Sequence, residues 1–192
     1  MDRHRTLRII GGNHRSRKVS FPDLPAIRPT PDRVRETLFN WLQLVVPGSR
    51  CLELYAGSGI LSMEALSRGA AHVDLVEKSA VALGVVEASL RTLGEAESRF
   101  NLHCMTAAAF LDSYEGPPFD VVFLDPPFAE PEELISATAR LASRHLLGPD
   151  SRIYVESAAP LTGQDLGPGF EILKHKRAGQ VHYCLVAPAP LN

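Results

Sequence analysis

Apolar runs and helical repeats alternate along most of the chain, from residue 50 to near its end. Short runs of apolar residues predict strands at 50–54, 72–76, 100–105, 119–124 and 152–156. Apolar residues at helical spacing predict the intervening helices, at 60–68, 79–93, 107–114 and 130–146. Two further strands, 170–176 and 180–186, are joined by a tight turn and must be antiparallel. The pattern predicts an α/β fold, a doubly wound and mostly parallel seven-stranded sheet with one antiparallel strand, Rossmann-like in architecture.

The first part of the chain follows a different pattern. Two short β-prone pieces flank the Gly-Gly-Asn sequence at 11–13 and predict a hairpin whose second strand carries Arg15, Arg17 and Lys18. Residues 20–28, which include two prolines, are interpreted as an extended linker. The sheet is therefore expected to follow a small N-terminal hairpin.

A helix is predicted to begin after this linker. Thr30 is suited to the N-cap, Pro31 to the first helical position and Asp32 to the positive end of the helix. Its buried face is predicted to contain Val34, Leu38, Trp41, Leu42 and Val45. Trp41 is interpreted as a core anchor of this helix and not as a platform for stacking bases.

Charge is distributed unevenly along the chain. The formal net charge is −2, which by itself argues against a nucleic-acid partner. Residues 1–35 carry nine Arg or Lys and three Asp, a net +6, which leaves −8 for the remainder. A solvated basic tail would explain this cluster. Because the cluster lies next to a predicted cleft, we favour a positively charged surface that binds nucleic-acid phosphates.

Composition sets the class of protein. A chain of 192 residues that is 45% hydrophobic can bury the core of one globular domain. It has no apolar run of about eighteen residues and no apolar segment directly behind its first residues. The three cysteines and seven histidines show no spacing typical of metal ligands. We expect a cytoplasmic protein with no membrane span and no metal.

A glycine turn follows the first predicted strand of the sheet. The small residues Ala-Gly-Ser-Gly at 56–59 let the backbone approach a ligand, and Glu77, at the tip of the next strand, can accept two hydrogen bonds from ribose hydroxyls. A dinucleotide site would need a third small residue at Ser62, and Glu53 would repel a pyrophosphate. Glu53 suits a cationic cofactor such as S-adenosylmethionine instead. A merely structural turn is the alternative; the combined spacing favours a nucleoside site.

The sequence Asp125-Pro126-Pro127-Phe128 follows the buried strand at 119–124, where ligands of such sheets bind. Asp125 can accept one N–H of an exocyclic amine and the Pro126 carbonyl the other, which leaves the amine lone pair free to meet a methyl donor. Pro127 restricts Pro126 to an extended conformation, and Phe128 can stack on the base. A turn that only caps a helix is the alternative. These four residues are our candidate catalytic residues.

Five segments of the chain resemble one family. They are Leu-Arg-Ile-Ile-Gly-Gly at 7–12, Arg15-x-Arg17-Lys18, the Arg-Pro-Thr-Pro-Asp-Arg block at 28–42, Ala-Gly-Ser-Gly at 56–59 and Asp-Pro-Pro-Phe at 125–128. Over essentially its whole length the chain is similar to the bacterial 16S rRNA (guanine(966)-N2)-methyltransferase family. The resemblance implies a class I methyltransferase fold, S-adenosylmethionine as methyl donor and the N2 of one guanine in 16S ribosomal RNA as acceptor. It also divides the chain into an RNA-binding extension, 1–28, and a methyltransferase domain, 29–192.

The resemblance also assigns binding residues. Those for the cofactor are Thr30, Glu53, Tyr55, Ala56, Gly57, Ser58, Gly59, Glu77, Lys78, Thr106, Ala107 and Asp125. Those for RNA are Arg8, Arg15, Arg17, Lys18 and Arg33. At Thr106 the family usually carries Asp or Asn for the adenine amino group of the cofactor, and a hydroxyl accepts that bond less strongly. For Arg35, a residue that only caps or solubilises its helix is an open alternative to one that lines the cleft.

The expected substrate is 16S rRNA within an assembled or assembling small ribosomal subunit, and the protein is expected to act as a monomer. The Asp-Pro-Pro-Phe tetrad is shared with other amino methyltransferases and does not choose among bases. An adenine-N6 methyltransferase of DNA or RNA is therefore one alternative. A non-catalytic RNA-binding assembly factor of the same fold is another.

Overall fold

The computed structural model describes residues 4–22, 27, 29–127 and 131–189. The N-terminal hairpin consists of β1 (His4–Arg8) and β2 (Lys18–Pro22). The strands of the main sheet are β3 (Arg50–Leu54), β4 (His72–Val76), β5 (Phe100–His103), β6 (Phe119–Leu124), β7 (Leu147–Ser157), β8 (Phe170–Ala178) and β9 (Val181–Pro188). The helices are α1 (Asp32–Trp41), α2 (Ile60–Ser67), α3 (Ala80–Leu93), α4 (Ala107–Ser113) and α5 (Pro131–Ser143). The predicted order of elements is confirmed.

The main sheet has seven strands in the order β5-β4-β3-β6-β7-β9-β8. β9 runs antiparallel to both of its neighbours, whereas the pairs from β5 to β7 are parallel. From β3 the chain adds β4 and β5 on one side and later β6 and β7 on the other. Ligands of open α/β sheets bind at such a switch point, beyond the carboxyl ends of the strands. The predicted fold class is confirmed.

Helices cover both faces of the sheet, because successive strand residues point to opposite sides. Cys51, Val121 and Phe123 are buried on the side of α1, α2 and α3. Leu52 and Val122 are buried on the side of α4 and α5. The carboxyl ends of β3, β4, β6 and β7 lie between these two layers and remain open to a ligand.

The N-terminal hairpin is part of the main core. Ile9 and Val19 are buried among residues of α1 and α2. The loop between β1 and β2 lies on the end of α2, where the N–H of Asn13 donates to the Ser67 carbonyl at 2.7 Å. Gly12 has a φ of +75°, and a Cβ added there would lie 1.8 Å from the same carbonyl oxygen, so this contact requires glycine. The hairpin therefore packs against the same core as the main sheet.

A buried ion pair between Arg35 and Glu64 joins the hairpin to the helices. Both side chains are fully buried, with Nη1 of Arg35 3.3 Å from Oε2 of Glu64. Two nitrogens of Arg35 donate to the Arg8 carbonyl, each at 3.0 Å. Glu64 accepts from the N–H groups of Ile10 at 2.9 Å and Gly11 at 2.8 Å. The alternative that Arg35 only caps or solubilises α1 is therefore wrong.

The hairpin departs from its predicted bounds. Arg15 and Arg17 lie in the loop between β1 and β2, and Lys18 is the first residue of β2. β2 continues beyond residue 20, so part of the segment predicted to be a linker is strand. The physical reason is that Phe21 is buried against Ile27, which keeps this part of the chain paired with β1.

The start of α1 also differs from the prediction. Its N-cap is Pro31, which makes no side-chain capping bond. Thr30, predicted at that position, is buried and lies near Glu156 of β7, whose pKa its hydroxyl lowers. At the other end of the helix, the ring of Trp41 packs against the core with its centroid 5.6 Å from that of Tyr183. The interpretation of Trp41 as a core anchor is confirmed.

We expect Arg35→Met to lower the free energy of unfolding by about 3 kcal/mol, near the lower limit for breaking a buried ion pair. The loss is limited because Arg68 also donates to Glu64, at 2.9 Å. The matched control is Arg33→Met, an exposed position on the same helix, which should change stability by no more than about 0.5 kcal/mol. Urea unfolding followed by circular dichroism measures both. A loss below about 1 kcal/mol for Arg35→Met would contradict the role given to the pair.

Candidate active site

A cavity of about 830 Å³ opens at the switch point, beyond the carboxyl ends of β3 and β6. Cavities of this size commonly hold small molecules and cofactors. Its lining includes the predicted residues Thr30, Glu53, Tyr55, Ala56, Gly57, Ser58, Glu77, Lys78, Thr106, Ala107, Asp125, Pro126 and Pro127. Gly59 does not line the cavity, and Phe128 lies outside the described residues. The structure thus brings together nearly all of the predicted cofactor and catalytic residues that it describes.

The turn after β3 forms one wall of this cavity. Tyr55, Gly57 and Gly59 adopt positive φ angles of +62°, +52° and +66°. A Cβ added at Gly59 would lie 2.9 Å from the Val86 side chain, so both conformation and space require glycine there. Tyr55 is held in its unusual conformation with its hydroxyl donating to Glu133 at 2.7 Å. The turn therefore presents backbone and small side chains to a ligand.

Glu77 lies directly after β4 and holds this turn in place. One of its carboxylate oxygens accepts the N–H of Gly57 and the other accepts the N–H of Ser79, both at 2.9 Å. Each oxygen keeps acceptor capacity, and the residue lines the cavity. Glu77 can thus accept hydrogen bonds from two neighbouring hydroxyls of a ligand.

Glu53 is buried on β3 and lines the same cavity. Its Oε2 accepts the N–H of Ser62 at 2.9 Å, which satisfies a donor in the first turn of α2. Burial raises the pKa of Glu53 to about 7. A cationic group bound in the cavity would stabilise the ionised carboxylate.

Thr106 has a structural task of its own. Its Oγ1 accepts the N–H of Ala109 at 3.2 Å and caps α4. One lone pair of this hydroxyl remains for a ligand, beside the N–H groups of the first helical turn that starts at Ala107. Thr106 stands where the resembled family usually carries Asp or Asn. Its hydroxyl already accepts a hydrogen bond from α4.

Asp125 follows β6 directly and stands beside Glu156 of β7. Leu124 and Val155 are partners in the parallel register, so the next residues on the two strands are neighbours. Burial, followed by the charges of Glu156 and Glu53, raises the pKa of Asp125 well above its usual range. In the part of the chain that the structure describes, no hydrogen bond reaches the Asp125 carboxylate. It is available to accept one from a ligand.

Glu156 is a cavity residue that the sequence analysis missed. It is buried near the end of β7, and the Tyr154 hydroxyl donates to its Oε1 at 2.7 Å. The hydroxyl of Thr30 lies near the same carboxylate and lowers its pKa. The signal that could have found it is its place at the carboxyl end of a strand next to Asp125, the same signal that identified Glu77.

Two of the basic residues assigned to RNA flank the cavity. Arg33 is exposed in the first turn of α1, directly after cavity-lining residues. Arg8 is exposed beside the same turn, its Nη2 3.5 Å from Oδ2 of Asp32. Lys18 is also exposed and pairs with Arg8 in the hairpin register.

The remaining two basic residues lie farther away. Arg17 donates to the carbonyls of Thr92 and Leu93, at 2.5 and 2.9 Å, at the carboxyl end of α3. α3 has 14 residues, so this end lies about 21 Å from the end that adjoins the cavity. Arg15 shares the hairpin loop with Arg17. Two of the five guanidinium N–H donors of Arg17 thus anchor the loop to α3, and its assignment to RNA stays a prediction for a surface distant from the cavity.

The described residues contain neither a membrane-spanning helix nor a candidate metal site. None of the helices they form is both long and apolar enough to cross a membrane. Among the same residues, no three His, Cys, Asp or Glu side chains converge in a group that could hold a metal ion.

Comparisons with known proteins agree with this geometry. The profile of the family described as Conserved hypothetical protein 95 matches residues 7–187. Ribosomal RNA small subunit methyltransferase D of Escherichia coli (strain K12) is 41% identical over 181 residues, which cover 93% of this chain and 88% of that protein. The protein of the same name from Haemophilus influenzae is 39% identical over 186 residues, which cover 93% of this chain and 92% of that protein. A solved structure from Escherichia coli, assigned as a methyltransferase, has a TM-score of 0.85 and 37% identity and covers 97% of this chain and 100% of that one. The chain therefore belongs to this family, together with the ribosomal RNA small subunit methyltransferase D proteins, and it is a methyltransferase of class I fold.

Proposed function

We propose that the protein transfers a methyl group from S-adenosylmethionine to the exocyclic N2 of a guanine in 16S ribosomal RNA. The observation that carries this proposal is that the unengaged carboxylate of Asp125 opens into the same cavity as Glu77 and the glycine turn. A nucleoside-bearing methyl donor and an amine can thus be held side by side. The names of the relatives support small-subunit ribosomal RNA as the substrate. The family resemblance of 7–12 and 28–42 supports N2 of guanine.

The residues of the cavity fit S-adenosylmethionine. Glu77 can accept its ribose hydroxyls, and the open space at Gly57, where an added Cβ meets nothing closer than 3.7 Å, admits a ligand against the backbone. Glu53 supplies negative charge for its cationic end. When bound, S-adenosylmethionine supplies a methyl group on a positively charged sulfur, which activates the methyl toward displacement.

Asp125 and Pro126 hold the target amine. The lone pair of an exocyclic amine is delocalised into its ring, so the amine must be oriented before it can attack a methyl group. Asp125 accepts one N–H and the Pro126 carbonyl accepts the other, which directs the lone pair at the methyl carbon. Pro127 keeps Pro126 extended. After transfer the nitrogen carries a surplus proton, which Asp125 can accept because burial and neighbouring carboxylates raise its pKa.

The RNA is proposed to reach the cavity across the first turn of α1. Arg8 and Arg33 flank this turn and can bind phosphates on either side of an unstacked target nucleotide, with Lys18 extending the contact along the hairpin. Arg15, in the distant loop, would meet only a more remote part of the RNA. The substrate is proposed to be RNA within an assembling or assembled small subunit and not a free transcript.

Asp125→Ala should reduce methyl transfer by about 100- to 1,000-fold, the usual effect of removing one preorganised polar partner from an active site. The measurement is incorporation of tritiated methyl into small subunits from a strain that lacks the enzyme. Asp150→Ala, an exposed carboxylate in the first half of β7, is the control and should keep wild-type activity. No transfer by the wild type, or unchanged transfer by Asp125→Ala, would overturn the proposal.

Binding of S-adenosylmethionine should tighten between about pH 6 and pH 7.5. With its pKa at about 7, Glu53 is mostly protonated at the lower pH, and only its ionised form attracts a cation. Affinity should therefore rise with pH, by at most about tenfold per unit, and binding should release a proton. Calorimetry in two buffers of different ionisation enthalpy measures both effects. Glu53→Gln should abolish them; a slope that persists in this variant would show that another group titrates.

Arg8→Ala and Arg33→Ala should each weaken RNA binding without regard to sequence and reduce the slope of log K against log salt by about 0.7 to 0.9. Arg144→Ala, an exposed arginine just after α5 on the other side of the sheet, is the matched control. Filter binding to small subunits at several salt concentrations gives the slopes. If Arg8→Ala and Arg33→Ala both keep the wild-type slope of log K against log salt, the proposed RNA path is excluded.

A further inference from the structure

Glu156 is a buried carboxylate that has no cationic partner among the described residues. Its exposure is 5%, and its hydrogen-bond donor among the described residues is the Tyr154 hydroxyl. Glutamates buried to this degree are usually paired with Lys or Arg, because an unpaired buried charge is costly. The residue also lines the cavity. Because burying the Glu156 carboxylate without a cation costs free energy, its position in the cavity wall indicates a role in ligand binding.

The position of Glu156 relates it to the target amine. Asp125 and Glu156 extend the register of β6 and β7 by one step, so their backbones lie about 4.8 Å apart, the spacing of neighbouring strands. Both side chains line the cavity. A base whose amine is held by Asp125 can therefore be placed with its Watson–Crick edge towards Glu156.

Two hydroxyl groups lie beside the Glu156 carboxylate. The Tyr154 hydroxyl donates to Oε1 at 2.7 Å, and the Thr30 hydroxyl lies near enough to lower the pKa of the same carboxylate. Both residues are themselves buried, Tyr154 fully and Thr30 at 4% exposure. Burial raises the pKa of Glu156 above its usual range, and the two hydroxyls only partly offset this rise; a carboxyl oxygen that carries no proton still accepts hydrogen bonds. The result is a fixed acceptor facing the cavity.

The bases that carry exocyclic amines differ at the Watson–Crick ring atom beside the amine. In guanine this atom is N1, which carries a hydrogen and donates. In adenine it is N1 and in cytosine it is N3, and both carry a lone pair instead. An ionised carboxylate accepts from an N–H and repels a lone pair. An acceptor placed beside Asp125 therefore favours guanine over the other two bases.

We propose that Glu156 accepts the N1–H of the target guanine while Asp125 accepts an N–H of its amine, and that the bond to Glu156 selects guanine. This inference rests on the proposed function, since it places a nucleobase amine at Asp125. Tyr154 and Thr30 act as positioning residues for the Glu156 carboxylate.

Small subunits reconstituted on 16S rRNA with either guanine or 2-aminopurine at the target position test the proposal. 2-Aminopurine keeps the amine but has a lone pair in place of the N1–H. The wild type should methylate guanine with a kcat/KM at least about tenfold above that for 2-aminopurine, because a good base contact discriminates by roughly 10- to 100-fold. Glu156→Gln, whose amide can donate to the lone pair, should reduce this ratio by at least about tenfold.

Control variants distinguish a loss of base selectivity from a loss of the folded structure. Glu171→Gln, an exposed position on β8, should keep the wild-type ratio, and Glu156→Gln should bind S-adenosylhomocysteine as the wild type does in calorimetry. Tyr154→Phe removes only the orienting hydroxyl and should reduce the ratio by a smaller factor. Equal use of both bases by the wild type, a result independent of any variant, would overturn the proposal. So would a wild-type ratio in Glu156→Gln. Methylation of neither base by the wild type would instead contradict the proposed function.

Discussion

Two fully buried charges, those of Arg35 and Glu64, determine how the N-terminal third of the molecule sits on the sheet. A buried charge is tolerated only when it is paired and hydrogen-bonded, so the segments that supply the partners must come together. The Glu64 carboxylate accepts hydrogen bonds from the backbone N–H groups of Ile10 and Gly11. The Arg35 guanidinium donates to the carbonyls of Arg8 and Thr30. The hairpin, α1 and α2 are thereby joined. The functional consequence is that Thr30, at the start of α1, is held in the wall of the cavity.

Three acidic side chains that form no ion pair with a described residue line the cavity. Glu53 on β3, Asp125 directly after β6 and Glu156 on β7 share this space, and the pKa of each is raised, first of all by burial. Such perturbed acids are typical of functional sites. A ligand that brings positive charge or N–H donors would stabilise the ionised form of these carboxylates. A sulfonium donor on one side and the donor-rich edge of guanine on the other meet both requirements.

The sequence was enough to predict the sheet, the glycine turn, Glu77 and Asp125, because each depends on the order of residues within a short segment. A buried strand followed by an acidic or small residue places that residue at the binding edge whatever the rest of the chain does. Glu156 obeys the same rule and could have been found by it. The buried state of Arg35 and the anchoring of Arg17 could not, because they depend on partners distant in the chain: Arg17 bonds to carbonyls 75 and 76 residues away. Periodicity carries no information about contacts of this kind.

In the proposed reaction the cavity presents guanine N2, and no other amine, to the methyl donor. Small subunits that lack the modification can be methylated by the purified protein, digested to nucleosides and analysed by mass spectrometry. We predict N2-methylguanosine as the product, formed by the wild type and lost in Asp125→Ala. N6-methyladenosine, or the absence of any methylated nucleoside, would contradict the claim.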